Sequence, residues 1–241
     1  MGFEHPKSGR FAERHVAPSI LSADFARLGS QVQEVLAAGA RIIHCDVMDG
    51  HFVPPITFGA LIVGAIADVV HDAGAAIDVH LMIERPERQV QEFVRAGADN
   101  VTIHVEATPH VHFAIMKIRE AGASAGAAIC PATPAEALSE VAEQGLDVAL
   151  CMSVDPGWGA QELIPASLHK LERMRAALPE HVALEVDGGV HRDTAADVAT
   201  AGANLLVAGS AVFESGDPGA AYAEIAAAAD AFWRSSLHSR A

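Results

Sequence analysis

The stretch Ala38-Gly39-Ala40-Arg41-Ile42-Ile43-His44-Cys45-Asp46-Val47-Met48-Asp49-Gly50 joins the end of a helix to a strand that carries polar side chains. A glycine just past a helix takes up the left-handed backbone that stops it, and the chain then runs directly into an extended segment. Alternation along that segment points His44, Asp46 and Met48 to one face and Ile43, Cys45 and Val47 to the other. An imidazole and a carboxylate beside a thioether, backed by an apolar face, suit a metal ligand set better than a solvated loop.

The Ala-Gly-Ala phrase recurs at residues 73 to 75, 96 to 98, 121 to 123 and 201 to 203, with Gln144-Gly145-Leu146 a weaker copy. Each copy follows a helical pattern and precedes a strand-like run. Reading outward from the glycines predicts strands near 15–20, 41–48, 76–82, 100–106, 124–130, 147–153, 182–187 and 204–209. Helical patterns fill the gaps, among them 24–38, 86–96, 163–178, 191–201 and 218–234, with Pro86 and Pro134 in first turns. Eight alternating units predict the α/β class and a single (β/α)8 TIM barrel rather than an open sheet, because closure leaves no unprotected edge. The barrel is expected over residues 15 to 234, with residues 1 to 14 and 235 to 241 as polar tails outside it.

The chain has 241 residues, enough for one large domain with a full core. It carries 31 acids against 16 bases, a formal net charge of -15, which disfavours nucleic acid and anionic membrane as partners. An anionic ligand must therefore be held locally. Cys45, Cys130 and Cys151 lie in apolar strand-like runs without CxxC spacing, as expected of buried, reduced thiols in a cytoplasmic protein. No run is long enough to span a membrane, and the charged N-terminus lacks the apolar centre of a secretory signal.

Chemistry in such a barrel sits at the C-terminal ends of the strands. His44 and Asp46 close the second strand, His80 the third and Asp187 the seventh, which makes a plausible ligand set for a borderline divalent cation such as zinc, with open positions for substrate oxygens. His104 and Glu106 end the fourth strand on one face, where they either support that set or fill the barrel. The turns Gly188-Gly189 and Gly209-Ser210 follow the seventh and eighth strands, where backbone amides gather round a phosphate; tight turns alone would also call for glycine. Residues 153 to 161, with Gly157, Trp158 and Gly159, read as a lid. Met48, Met82 and Met152 are expected to line the barrel mouth, with plain core packing an equal alternative.

From Ala17 to Phe213 the sequence resembles the ribulose-phosphate 3-epimerase family. The blocks that carry the resemblance are Ala17-Pro18-Ser19-Ile20-Leu21-Ser22-Ala23-Asp24-Phe25, His44 to Pro54, Asp78-Val79-His80-Leu81-Met82, Met152-Ser153-Val154-Asp155-Pro156-Gly157 and Glu185-Val186-Asp187-Gly188-Gly189-Val190. The resemblance implies a metal-dependent enzyme that interconverts D-ribulose 5-phosphate and D-xylulose 5-phosphate in the pentose phosphate pathway, through a cis-enediolate. It implies one divalent ion, zinc first and iron, manganese or cobalt as alternatives, on His44, Asp46, His80 and Asp187. Asp46 and Asp187 match the acid/base pair. Ser19, His80, Gly157, Trp158, Gly159, Gly188, Gly189, Gly209 and Ser210 match positions that contact substrate, and a homo-oligomer is expected. Trp158 and Ala160 stand where the family commonly has Phe and Gly, and a left-handed backbone at Ala160 would cost about 1 to 2 kcal/mol.

Rival readings are an epimerase for another ketose phosphate, such as allulose 6-phosphate, or a non-catalytic sugar-phosphate sensor. A decarboxylase or aldolase of the Asp-x-Lys-x-x-Asp kind is disfavoured, because Met48 and His51 stand where that pattern needs Lys and Asp.

Overall fold

The computed structural model describes residues 8 to 238. Eight strands run β1 (His15–Pro18), β2 (Ile42–Met48), β3 (Ala76–Met82), β4 (Asn100–His104), β5 (Ser124–Ile129), β6 (Val148–Met152), β7 (Ala183–Asp187) and β8 (Leu205–Ala208). The helices are α1 (Ser8–Phe11), α2 (Leu28–Ala37), α3 (Ala60–Asp72), α4 (Val90–Ala96), α5 (Val111–Ala121), α6 (Ser139–Ala142), α7 (Ala166–Ala177), α8 (Ala195–Thr200), α9 (Ser210–Phe213) and α10 (Pro218–His238). All neighbouring strands pair in parallel, in the order β1-β8-β7-β6-β5-β4-β3-β2. A parallel bridge between Ser19 and His44 joins the two ends, so the sheet closes into the (β/α)8 barrel.

The helix stops are built as the repeated glycines predict. Gly39, Gly74, Gly97, Gly122 and Gly202 all have positive φ. The alanine after each donates its N–H to the carbonyl five residues back, as in Ala40 to Val35 at 3.0 Å and Ala98 to Phe93 at 3.1 Å. That is the long bond of a Schellman motif, which satisfies an end carbonyl and reverses the chain toward the barrel.

Side chains alternate as a parallel strand covered on both faces requires. Ile43, Cys45, Val47, Val79, Leu81, Val101 and Ile103 pack outward in one large apolar cluster with helix residues such as Val32, Val35, Val63, Phe93 and Ile115. The foot of the barrel interior is filled by Phe11, Ala17, Ile42, Ala76, Val148, Ala183, Leu205 and Val207.

Phe11 corrects the reading of residues 1 to 14 as a tail outside the barrel. It is 1% exposed, and its carbonyl accepts from Asn204 Nδ2 at 2.9 Å, so α1 plugs the foot. At the other end α10 continues to His238, through residues 235 to 238 of the expected tail. Residues 1 to 7 and 239 to 241, which belong to the same expectation, lie outside the described residues.

Some boundaries also shift. The first strand stops at Pro18 because the Ser19 side chain accepts from Leu21 N–H and starts a 3-10 turn, Ile20–Ser22. The fourth stops at His104 before a second such turn, Val105–Ala107. The helix expected from residue 24 begins at Leu28, because Asp24 Oδ1 accepts from Ala26 N–H in a local turn that competes with the helix.

Candidate active site

Parallel register stacks polar residues in two inward layers above the apolar foot. His44 pairs with Asp78 and Asp78 with Asn100, and one layer higher Asp46 pairs with His80. Glu185 and Asp187 occupy the matching levels of β7, two residues apart on one face. His44, Asp78, His80, Asn100, His104 and Glu185 are fully buried.

The upper layer is a concentrated donor set. His44 Nε2 lies 3.2 Å and His80 Nδ1 3.0 Å from Asp46 Oδ1, and His80 Nδ1 is 3.7 Å from Asp187 Oδ2. One donor atom from each of these four residues lies within 4.8 Å of the other three. Donors held 2.0 to 2.2 Å from a divalent ion stand roughly 2.8 to 3.6 Å apart along the edges of an octahedron or tetrahedron. The separations of 3.0 and 3.2 Å fall within that range, and the 3.7 Å one lies just above it. Two imidazoles and two carboxylates also suit zinc, iron, manganese or cobalt by donor chemistry. The residues present therefore fit a divalent cation.

His44 shows the same fit from its other side. Its Nδ1 is 2.7 Å from Asp78 Oδ2, so carboxylates face both ring nitrogens. Burial alone would lower this imidazole, but Asp46 and Asp78 raise it well above the ordinary histidine value. A ring between two carboxylates either carries two protons or keeps one on Nδ1 for Asp78 and offers Nε2 to a metal. Glu185, beneath, is pushed well above the ordinary carboxylate range by burial and then by the charge of Asp78.

The two aspartates are driven apart. Against burial, His44 and His80 hold the Asp46 carboxyl well below its usual value, and Ser19 Oγ donates to Asp46 Oδ2 at 2.6 Å. Burial, followed by the charge of Asp46, raises Asp187 above its ordinary range despite His80.

Above the donor set opens a cavity of about 280 Å³. Asp46, Asp187, Ser19, Met48, Met82, Met152, the 157 to 159 segment and the turns at Gly188, Gly189, Gly209 and Ser210 all line it. The three methionines thus stand at the mouth, where Met48 and Met82 also pack with Val53 and Met152 packs with Val154. His80 stands back from the cavity lining, with its ring nitrogens against Asp46 and His104.

Gly188 and Gly189 are required by backbone and packing together. Their φ values are +116° and +65°, and a Cβ would come within 2.4 Å of Val154 and 2.3 Å of the Leu163 backbone, respectively. This close approach seats the 153 to 163 segment on the β7 turn. In that segment Gln161 Nε2 donates to the Asp155 and Trp158 carbonyls at 2.7 and 2.9 Å. Trp158 lines the cavity while 56% exposed, and Ala160 adopts φ +57°.

Asp49, a prominent acid with no role assigned from sequence, is a loop tie. Its Oδ1 accepts from His51 and Phe52 N–H, and its Oδ2 from Glu84 N–H at 2.8 Å, joining the loops after β2 and β3. Asp78, Asn100 and Glu185 were also missed. Asp78 and Glu185 repeat the inward alternation one layer below His80 and Asp187, and Asn100 is the register partner of Asp78.

Fold and site together define a (β/α)8 enzyme with paired carboxylates at the C-terminal mouth of its barrel. Residues 15–213 match the model of the ribulose-phosphate 3-epimerase family. Ribulose-phosphate 3-epimerase of Bacillus subtilis is 48% identical over 214 residues, covering 87% of this chain and 97% of that protein. The Synechocystis protein of the same name is 49% identical, covering 83% of this chain and 87% of its own length. A solved 3-hexulose-6-phosphate synthase shares the fold, with a TM-score of 0.69 at 22% identity over 89% of this chain and 99% of that one. The chain belongs to the ribulose-phosphate 3-epimerase family and is an epimerase, which sets aside the non-catalytic sensor. Among the described residues no helix is long and apolar enough to cross a membrane.

Proposed function

We propose that the chain epimerises D-ribulose 5-phosphate at C3 to D-xylulose 5-phosphate, with Asp46 and Asp187 as the proton-transferring pair. The observation that carries this reading is the meeting of two carboxyls from β2 and β7 in one cavity, beside two imidazoles. Inverting a carbon next to a ketone requires a proton removed from one face and another delivered to the opposite face, so two groups must flank it. Asp46 is held low and Asp187 is raised, so the two differ in proton affinity in the direction a base and an acid need, and they exchange roles when the reaction reverses. The cis-enediolate lies between the two transfers.

A divalent ion, zinc first among the candidates, would be held by His44, Asp46, His80 and Asp187. When bound it supplies Lewis-acid stabilisation of the charge that develops on the substrate oxygens. Ser19 fixes the Asp46 carboxyl by its 2.6 Å hydrogen bond. Met48, Met82 and Met152 keep the reacting end dry, which strengthens each electrostatic contact there. The turns at Gly188, Gly189, Gly209 and Ser210 offer backbone to the phosphate, and the Gly157, Trp158 and Gly159 segment covers the substrate.

A cytoplasmic location and a homo-oligomer belong to the same proposal. The first is supported by three free cysteines, two of them buried, and the second by Leu61 and Ile56, 89% and 79% exposed, which a second copy would cover.

The test is a coupled assay with ribulose 5-phosphate and, separately, allulose 6-phosphate, before and after chelation and metal add-back. Asp46→Asn and Asp187→Asn should each leave a folded protein with turnover reduced by roughly 10²- to 10⁴-fold. Normal turnover in either variant would overturn the two-carboxylate assignment, and a preference for allulose 6-phosphate would overturn the substrate.

A further inference from the structure

Beside the donor set runs a line of groups, buried at His80 and His104 and reaching solvent at Glu106, that the proton transfers do not use. His80 Nε2 is 2.9 Å from His104 Nε2, with the two rings stacked at 5.0 Å. His104 Nδ1 is 3.2 Å from Glu106 Oε2. The other Glu106 oxygen accepts from Cys130 N–H at 2.8 Å and from the Thr133 hydroxyl. Phe52 lies over His104 with ring centroids 4.7 Å apart.

Two facing imidazole nitrogens at this distance share one hydrogen, and its owner follows from the far end. Two donors hold Glu106 Oε1, so this carboxylate is an acceptor toward His104 and the hydrogen of His104 sits on Nδ1. A neutral imidazole has one N–H. His104 Nε2 is then bare, the shared hydrogen belongs to His80 Nε2, and a neutral His80 has a bare Nδ1 facing Asp46 and Asp187. We propose that His104 and Glu106 are positioning residues that fix the tautomer and ring plane of His80, so that Nδ1 is presented to a divalent cation. This rests on the metal reading above. His44 reaches the same end by a shorter route, with Asp78 holding Nδ1 and Nε2 left for the ion.

His104, Glu106 and Cys130 also bring donor atoms within 4.8 Å of one another, so a second cation site needs to be weighed. A cation on His104 Nδ1 would move its hydrogen to Nε2. His80 would then have to carry its own hydrogen on Nδ1, pointing into the first donor set. The two sites exclude each other, and one equivalent of metal is expected.

The experiment is Co2+ titration of the chelated full chain, followed by visible absorption, with thermal melts as the folding control. His104→Leu removes the acceptor for His80 and should weaken Co2+ binding roughly 10- to 100-fold and shift the cobalt bands, whereas His104→Gln, whose amide both accepts and donates, should stay within about threefold of the parent. His104→Leu binding as tightly as the parent, or His104→Gln falling as far as His104→Leu, overturns the relay. Two equivalents in the parent falling to one in Cys130→Ser overturn it in favour of a second site. His80→Ala separates the two readings: tight binding there overturns the metal site itself, while loss there with unchanged binding in His104→Leu overturns only the relay.

Discussion

Ala160 is an L-residue in left-handed backbone, at φ +57°, within the segment that rims the cavity. The conformation brings Cβ too close to the following carbonyl oxygen, at about 1 to 2 kcal/mol for a non-glycine residue. Ala160→Gly removes that strain but frees the unfolded chain, which costs about 0.4 to 1 kcal/mol in return. The net gain is therefore up to roughly 1.5 kcal/mol, a rise in Tm of at most about 3 to 6 °C for a domain of this size. Ala160→Val tests the opposite sign, since a branched Cβ is more crowded at positive φ. The assay is urea unfolding of both variants beside the parent, with steady-state turnover measured on the same samples. Gln161 anchors the segment to the Asp155 and Trp158 carbonyls independently of residue 160, so the loop keeps its path in either variant. A glycine variant less stable than the parent by more than about 0.5 kcal/mol would refute the strain reasoning.

Two more outcomes follow from groups away from the cavity. Phe11→Ala should destabilise the barrel by about 3 to 5 kcal/mol, because it empties the apolar foot; unfolding curves that overlay the parent would show that α1 is dispensable. Against burial, His104, Thr133 and Cys130 N–H hold Glu106 at about 2 rather than its usual 4.5. Its folded pKa is depressed, so its contribution is complete above pH 4.5 and is lost as pH falls toward 2, at about 1 to 2 kcal/mol once solvent screening is allowed for. Glu106→Gln should flatten stability against pH in that window, and a slope parallel to the parent would count against it.

The barrel was legible because its helix stops are local: a glycine, the alanine after it and a carbonyl five residues back form one motif inside one short stretch. The donor set was legible because strand alternation fixes which side chains share a face. What escaped needed register between strands. Asp78 matters because it pairs with His44, and Asn100 because its amide donates to Asp78 Oδ1 at 2.6 Å. Neither partner is near in sequence. Asp49 likewise takes its meaning from Glu84 N–H, 35 residues away. Phe11 was read as part of a polar tail because one apolar residue among charged neighbours sets no period, and only the open foot of the barrel gives it a place.

The charge of -15 sharpens how an anionic substrate is held. Among the described residues that line the cavity there are four carboxylates, Asp46, Asp155, Glu162 and Asp187, and no lysine or arginine. A field of this sign slows the approach of a phosphate ester instead of steering it, and salt, which screens charges beyond about 8 to 10 Å, eases the encounter. Affinity must then come from contacts shorter than that. The glycine turns can supply them because backbone N–H groups carry fixed dipoles with no counter-charge to desolvate. Two of the four carboxylates are those that face His44 and His80, so a divalent ion there would cancel the repulsion at the sugar end and leave the backbone to deal with the phosphate. The acidic surface and the cation-fitting donor set are thus complementary: a divalent ion held there would confine the positive charge to the floor of one cavity and let the chain around it stay strongly negative.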